Sequence, residues 1–70
     1  MSAPGSDKLV MMANQIAAYF HPYPKERALA GIAKHIEDFW TPKMRASLDL
    51  RAPKLDPLVR EALGASQSAA

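Results

Sequence analysis

The chain has no cysteine among its 70 residues. That excludes disulfides and thiolate metal sites, including any iron–sulfur cluster held by this chain's own thiolates. Histidine is nearly as scarce. His21 and His35 are the only two, and they make a poor metal pair, fourteen positions apart across a proline turn. There are only three glycines, and none belongs to a phosphate-cradling loop. Charge of one sign is not in large excess either: 9 Lys and Arg face 7 Asp and Glu, for a net charge of +2. The bases are scattered from Lys8 to Arg60, most with an acid close by in sequence, whereas a nucleic-acid binder usually shows a clustered basic face. No apolar run approaches the ~20 residues needed to span a bilayer. Met1 to Ser6 has neither the basic stretch nor the apolar stretch of a signal peptide. The expectation is a soluble, cytoplasmic protein.

Seventy residues make one domain at most. The whole of 1–70 is read as a single small helical domain with an ordered core of about 7–63. A chain this short buries only roughly 60% of its unfolded surface, so its stability margin is thin. Small scaffolds usually compensate with disulfides, a metal or a partner. Here the first is excluded and the second poorly supplied, which leaves good helix packing, a partner surface, or both.

What is present is helical periodicity. Leu9, Met12, Ala13, Ile16 and Phe20 recur at three- and four-residue spacing and mark a first helix face, with Ser6 or Asp7 suited to cap its start. His21-Pro22-Tyr23-Pro24 stops it, because Pro22 pushes His21 out of the α region. A second helix starting near Pro24 or Lys25 carries Ala28, Leu29, Ile32, Ala33, Ile36, Phe39 and Trp40 over an arc of roughly 140°. Gly31 lies in its middle, at a helix-propensity cost of about 1 kcal/mol against Ala. Thr41-Pro42 and Asp56-Pro57 each read as a cap followed by proline at the first helical position. They open two short helices, the first with Met44, Leu48 and Ala46 inward, the second with Leu58, Val59, Ala62 and Leu63 apolar and Gly64 as its stop. No strand-period alternation or hairpin turn occurs. The fold class expected is all-α: an antiparallel helical hairpin (about 7–20 and 25–40), two short helices (about 42–50 and 57–63) and disordered tails.

Catalytic constellations are missing. Glu37 and Asp38 are adjacent on a helix and do not face each other. The serines have no strand–elbow context for a nucleophile. Docking is better supported. Met11 and Ala18 fall almost opposite the expected core face of the first helix, with Val10 and Asn14 between, where a solvated face would carry Lys or Glu. An adaptable methionine on a second, weakly apolar face suits a partner. Trp40 and Phe39 are read first as core and second as interface anchors. His35 sits at the edge of the second helix's stripe. Asn14 offers an amide that can bond a partner backbone in both directions, and Arg45 a fork suited to a carboxylate or carbonyls.

Three segments carry a resemblance: Lys8-Leu-Val-Met-Met-Ala-Asn-Gln-Ile16; Gly31-Ile-Ala-Lys-His-Ile36 with Phe39-Trp-Thr-Pro-Lys-Met-Arg45; and Leu55-Asp-Pro-Leu-Val-Arg-Glu-Ala62. In that order, over about residues 7–63, the chain resembles the delta subunit of NAD-dependent, molybdenum-containing formate dehydrogenase. No single piece is diagnostic; together they are fairly specific. The stretch from Leu50 to Lys54 reads as a linker and falls outside them. The resemblance implies a non-catalytic accessory subunit that binds no cofactor itself. The large alpha subunit would carry a bis-molybdopterin guanine dinucleotide (bis-MGD) molybdenum cofactor and iron–sulfur clusters. Beta and gamma subunits would carry FMN, further clusters and the NAD site. It further implies contact with the alpha subunit through Asn14 and Gln15, His35 to Trp40, and Met44-Arg45.

Two other classes compete. A small helical regulatory or nucleic-acid-associated protein is encouraged by the sequence pI of about 9.2 and opposed by the distributed charge. A peripheral membrane binder would need a strongly basic polar face, and the first helix has only Lys8.

Overall fold

The computed structural model describes the backbone of residues 4–68 and the side chains of residues 7–64. Within them lie four helices: α1 Pro4–Phe20, α2 Lys25–Phe39, α3 Pro42–Ser47 and α4 Pro57–Ser68. No strand occurs among the described residues, so the chain is all-α.

Two of the expected caps form as read. Thr41 Oγ1 accepts the Met44 N–H at 3.1 Å, with Pro42 following in the first turn. Asp56 Oδ1 accepts the Leu58 N–H at 2.9 Å ahead of Pro57. In each case a short oxygen satisfies an otherwise orphaned donor, and the proline gives up an N–H that had no partner. Pro24 takes the N-cap position of α2, its carbonyl receiving the Ala28 N–H at 2.8 Å.

Other boundaries differ from expectation. α1 begins at Pro4, so Asp7 lies inside its first turn and is not its cap; a proline preset to helical φ is well placed in a first turn. The disorder expected for the tails therefore does not extend to Pro4–Ser6 or 65–68, which are helical; residues 1–3 and 69–70 lie outside the described residues. α3 ends at Ser47, not near Leu50. Leu48 turns to extended geometry (φ −76°, ψ 123°) and buries its side chain. Asp49 Oδ1 then accepts the Arg51 N–H at 2.9 Å, an Asx turn that competes with helix continuation. Gly64 does not stop α4. No glycine among the described residues has positive φ, and the helix runs on to Ser68.

α2 is the centre of the molecule, in contact with α4 over its broadest surface and with α1 on another side. The α1–α2 hairpin is antiparallel. Phe20, at the end of α1, covers Gly31, while Met12, two turns earlier, shares a groove with Trp40. Ile32, Ile36 and Val59 are the largest fully buried side chains. They join Ala28, Trp40, Leu48, Leu55 and Ala62 with Leu9, Val10, Ala13 and Ala17 of α1. Ala46, expected inward, is exposed.

The buried face of α1 is thus Leu9, Val10, Ala13 and Ala17, rotated roughly 60° from the expected one at 100° per residue. Val10, expected toward the outer side, is only 6% exposed, and Met12, Ile16 and Phe20 are half-buried. The cause is tertiary. α1 also touches α3 and α4, and the segment leading into α4 meets its Val10–Asn14 side, where Asn14 bonds the backbone of Lys54 and Asp56. Two alanines on the buried face, Ala13 and Ala17, let the helices approach closely.

Gly31 has a specific reason to be glycine. A Cβ at this position would overlap the Phe20 ring. The ring occupies the space a side chain would take, so the helix-propensity loss at Gly31 is exchanged for an aromatic contact between α1 and α2.

Candidate docking surface

Rotating α1 has a consequence for its solvent side. Between Leu9 and Phe20 it carries no charged residue. Met12, Ile16, Tyr19 and Phe20, left partly or fully uncovered, form one wall of an open groove with Gln15. His35, Phe39 and Trp40 of α2 and Met44 of α3 form the other. The groove encloses about 760 Å³. Tyr19 and Phe39 are 66% and 72% exposed, unusual values for such large rings.

The aromatic rings brace one another. Tyr19 meets Phe20 edge-on with centroids 5.1 Å apart, and Phe20 lies 5.5 Å from Tyr23. On the opposite wall the His35 ring lies 4.7 Å from Phe39. Such pairs hold rings in place at the surface, so less side-chain freedom remains to be lost on binding. The groove combines features of interface centres: aromatics and methionine, little charge, and an open apolar area already shaped.

The residues singled out from sequence do not all meet here. Gln15, His35, Phe39, Trp40 and Met44 converge on the groove. Trp40 does so from beneath, at 5% exposure, so its first role is core. Met11 is 63% exposed but borders a separate hollow with Asp7, Val10, Asn14, Ala52, Pro53 and Lys54. Ala18 is exposed on the α1 flank between the two. Arg45 points to the other side of α3, into a hollow shared with Lys34, Glu37, Leu50 and Leu63.

Asn14 has an internal task. Its Nδ2 donates to the Lys54 carbonyl at 2.8 Å, and its Oδ1 accepts the Asp56 N–H at 2.7 Å. The amide does bond backbone in both directions, but the backbone is this chain's own. From the opposite side, Arg60 Nε donates to the Leu50 carbonyl at 2.7 Å and Nη2 to that of Ala52 at 3.2 Å. The linker read over Leu50 to Lys54, which falls outside the family-like segments, is stapled from both flanks, with the neighbouring Leu55 buried.

Asp56 closes this staple. Its Oδ2 meets His21 Nε2 at 2.8 Å while Oδ1 caps α4. Partial burial pushes its carboxyl upward, but the hydrogen bonds from His21 and the Leu58 N–H, together with the charge of His21, outweigh this and hold it below the ordinary carboxylate range. The first proline turn is thereby tied to the start of α4.

The helical periodicity places Met12, Ile16 and Phe20 on the core face of α1. A signal for the groove existed in the uncharged run from Leu9 to Phe20, too long to be covered by one neighbouring helix.

Among the described residues no group of three or more His, Cys, Asp or Glu could hold a metal ion. Fold and surface together define a small all-α chain built around a central helix, with an apolar groove as its principal surface feature. The family model of the NADH-dependent formate dehydrogenase delta subunit, FdsD, matches residues 8–63, and the chain belongs to this family. No curated protein and no solved structure matches the chain.

Proposed function

We propose that this chain is a non-catalytic accessory subunit that docks on the large, molybdenum-containing alpha subunit of an NAD-dependent formate dehydrogenase and supports its assembly and stability. The observation that carries this reading is the groove between α1 and α2. Two large rings stand open to solvent on its walls, and α1 presents no charge between Leu9 and Phe20. A monomer gains nothing by exposing Tyr19 and Phe39 together; a subunit gains an anchor pair. The family supplies the enzyme, and the groove supplies the means of attachment.

In this reading the chain binds no cofactor. Without cysteine it cannot hold an iron–sulfur cluster. The bis-MGD molybdenum cofactor, clusters, FMN and NAD belong to the alpha, beta and gamma subunits. No helix among the described residues is long and apolar enough to cross a membrane, which accords with a cytoplasmic complex.

The test is affinity purification of the tagged chain from its native cytoplasm, with molybdenum and iron quantified in the eluate. A large co-purifying protein containing both metals is expected. The double substitution Tyr19→Ser, Phe39→Ser should lose that protein while keeping the helical circular dichroism of the parent. A parent chain recovered alone and metal-free would overturn the reading.

A further inference from the structure

Gly31 sits in the interior of α2, where alanine would favour the helix. No positive φ calls for glycine there. What calls for it is the ring of Phe20. A Cβ on residue 31 would lie 2.9 Å from Cδ1 of that ring, 2.7 Å from Cζ and closer still to Cε1. Ordinary contact between carbon atoms is about 3.5–4.0 Å. The ring is seated in the notch that the missing side chain leaves.

That seat belongs to the groove. Phe20 lines the groove as well as covering Gly31. Its ring is met edge-on by Tyr19, a second wall residue, and is flanked by Tyr23. The notch at Gly31 therefore places one wall ring directly and a second one through it.

A side chain at residue 31 would drive the Phe20 ring away from α2 by about 1 Å. What has to yield is the far end of a side chain and not backbone. The rings it would push, Tyr19 and Tyr23, are both exposed and have solvent to move into. The displacement costs the fold little. For the groove it matters more. No Lys, Arg, Asp or Glu lines that surface, so no ion pair is there to set the register of an occupant. Fit then depends on the contour of the walls, and the face that fits is apolar and uncharged.

We propose that Gly31 is a positioning residue for docking: the notch it leaves holds Phe20 and Tyr19 where the groove admits an apolar, uncharged face of the large subunit. This rests on the docking reading above and adds which residue sets the shape of the site.

The test is Gly31→Ala in the full-length chain, beside Phe20→Leu and the double variant. Binding to the purified large subunit of the formate dehydrogenase is measured by biolayer interferometry. Each chain is also followed by thermal melting and by near-ultraviolet circular dichroism, which reports the packing of the aromatic rings. Gly31→Ala should melt at or above the parent's temperature, because alanine favours the helix. Its near-ultraviolet spectrum should change, and its affinity should fall about tenfold or more. In the Phe20→Leu background, where a shorter side chain can turn away from residue 31, the same substitution should change affinity by about twofold or less. Parent-like binding by Gly31→Ala overturns the proposal and leaves docking intact. So does a loss of affinity with an unchanged near-ultraviolet spectrum, or an equal loss with and without Phe20, since residue 31 then does not act through the ring. Melting well below the parent makes Gly31 a packing residue and also overturns the proposal. If the parent does not bind the large subunit at all, docking and positioning fall together.

Discussion

α1 and α2 are near neighbours in length and packing, yet their outer faces differ. α2 turns Arg27, Lys34, Glu37 and Asp38 to solvent, and the Lys34–Asp38 pair at i, i+4 spans its surface. α1 turns out Met11, Gln15, Ala18 and Tyr19. Both bury apolar residues against the same core, so the contrast is not about folding. A helix that needs only to stay soluble is served by charge on its outer face. A helix that leaves three turns uncharged keeps that surface dry enough to be covered. The two faces meet at Phe39 and Trp40, consecutive residues with opposite assignments: Trp40 in the core at 5% exposure, Phe39 on the groove wall at 72%.

The sharpest way to break this comparison is to truncate each of those two rings. Trp40→Ala removes a buried side chain that α2 cannot replace. A loss of about 3–5 kcal/mol is expected, enough to leave so small a domain largely unfolded in urea titration followed by circular dichroism. If stability holds, Trp40 is an anchor rather than core, and the division of the two faces fails.

Asn14→Ala comes next. It strips the linker's α1-side staple, leaving the Lys54 carbonyl and the part-buried Asp56 N–H without their partner. A loss of roughly 1–3 kcal/mol is expected, the range for leaving buried polar groups unpaired. Amide hydrogen exchange should quicken first across residues 50–56. A uniform increase over the whole chain would mean that the linker is no separate element.

Asp56→Ala should lose about 1 kcal/mol with the α4 cap. Its acid dependence is specific. The carboxyl is held below its ordinary range in the folded chain, so its contribution is present above that range, near pH 3.8. The contribution is lost as pH falls through the lower, folded-state value. Asp56→Asn keeps a capping oxygen and loses the charge. It should melt near the parent at neutral pH and show a shallower decline in acid. The ion pair itself adds little, because His21 is more than half exposed.

Phe39→Ala should change stability least, by about 0.5 kcal/mol or less, as expected of a surface position. It should nevertheless weaken capture of the large subunit by at least tenfold, a change of about 1.4 kcal/mol. Unchanged capture would remove Phe39 from the docking surface and leave the exposed rings without a purpose.

Most of the helical plan was legible because its punctuation is chemical. Thr41-Pro42 and Asp56-Pro57 announce helix starts through groups one to three residues apart, and His21-Pro22-Tyr23-Pro24 ends α1 by local sterics. The misreadings arise where local signals are weak. Gly64 was read as a stop, yet nothing there requires positive φ. Leu48 and Asp49 end α3 because the core claims one side chain and a turn claims the other. The groove was half legible. Gln15, His35, Phe39, Trp40 and Met44 were singled out, but Met12, Ile16 and Phe20 were placed inside, because periodicity gives the width of an apolar face and not which part of it a neighbour covers.

From its residues alone this chain is all-α, lacks the thiolates for any cluster, has its breaks at the prolines and resembles one family of subunits. Each follows from side-chain chemistry or from contacts within a turn or two. Only the tertiary structure decided how far α1 rotates, that Asn14 serves the linker, that Phe20 fills the space above Gly31, and that Tyr19 and Phe39 stand open on the walls of one groove. These depend on contacts between residues as many as 42 positions apart, where competing neighbours, and not the residue's own character, determine which atoms water still reaches.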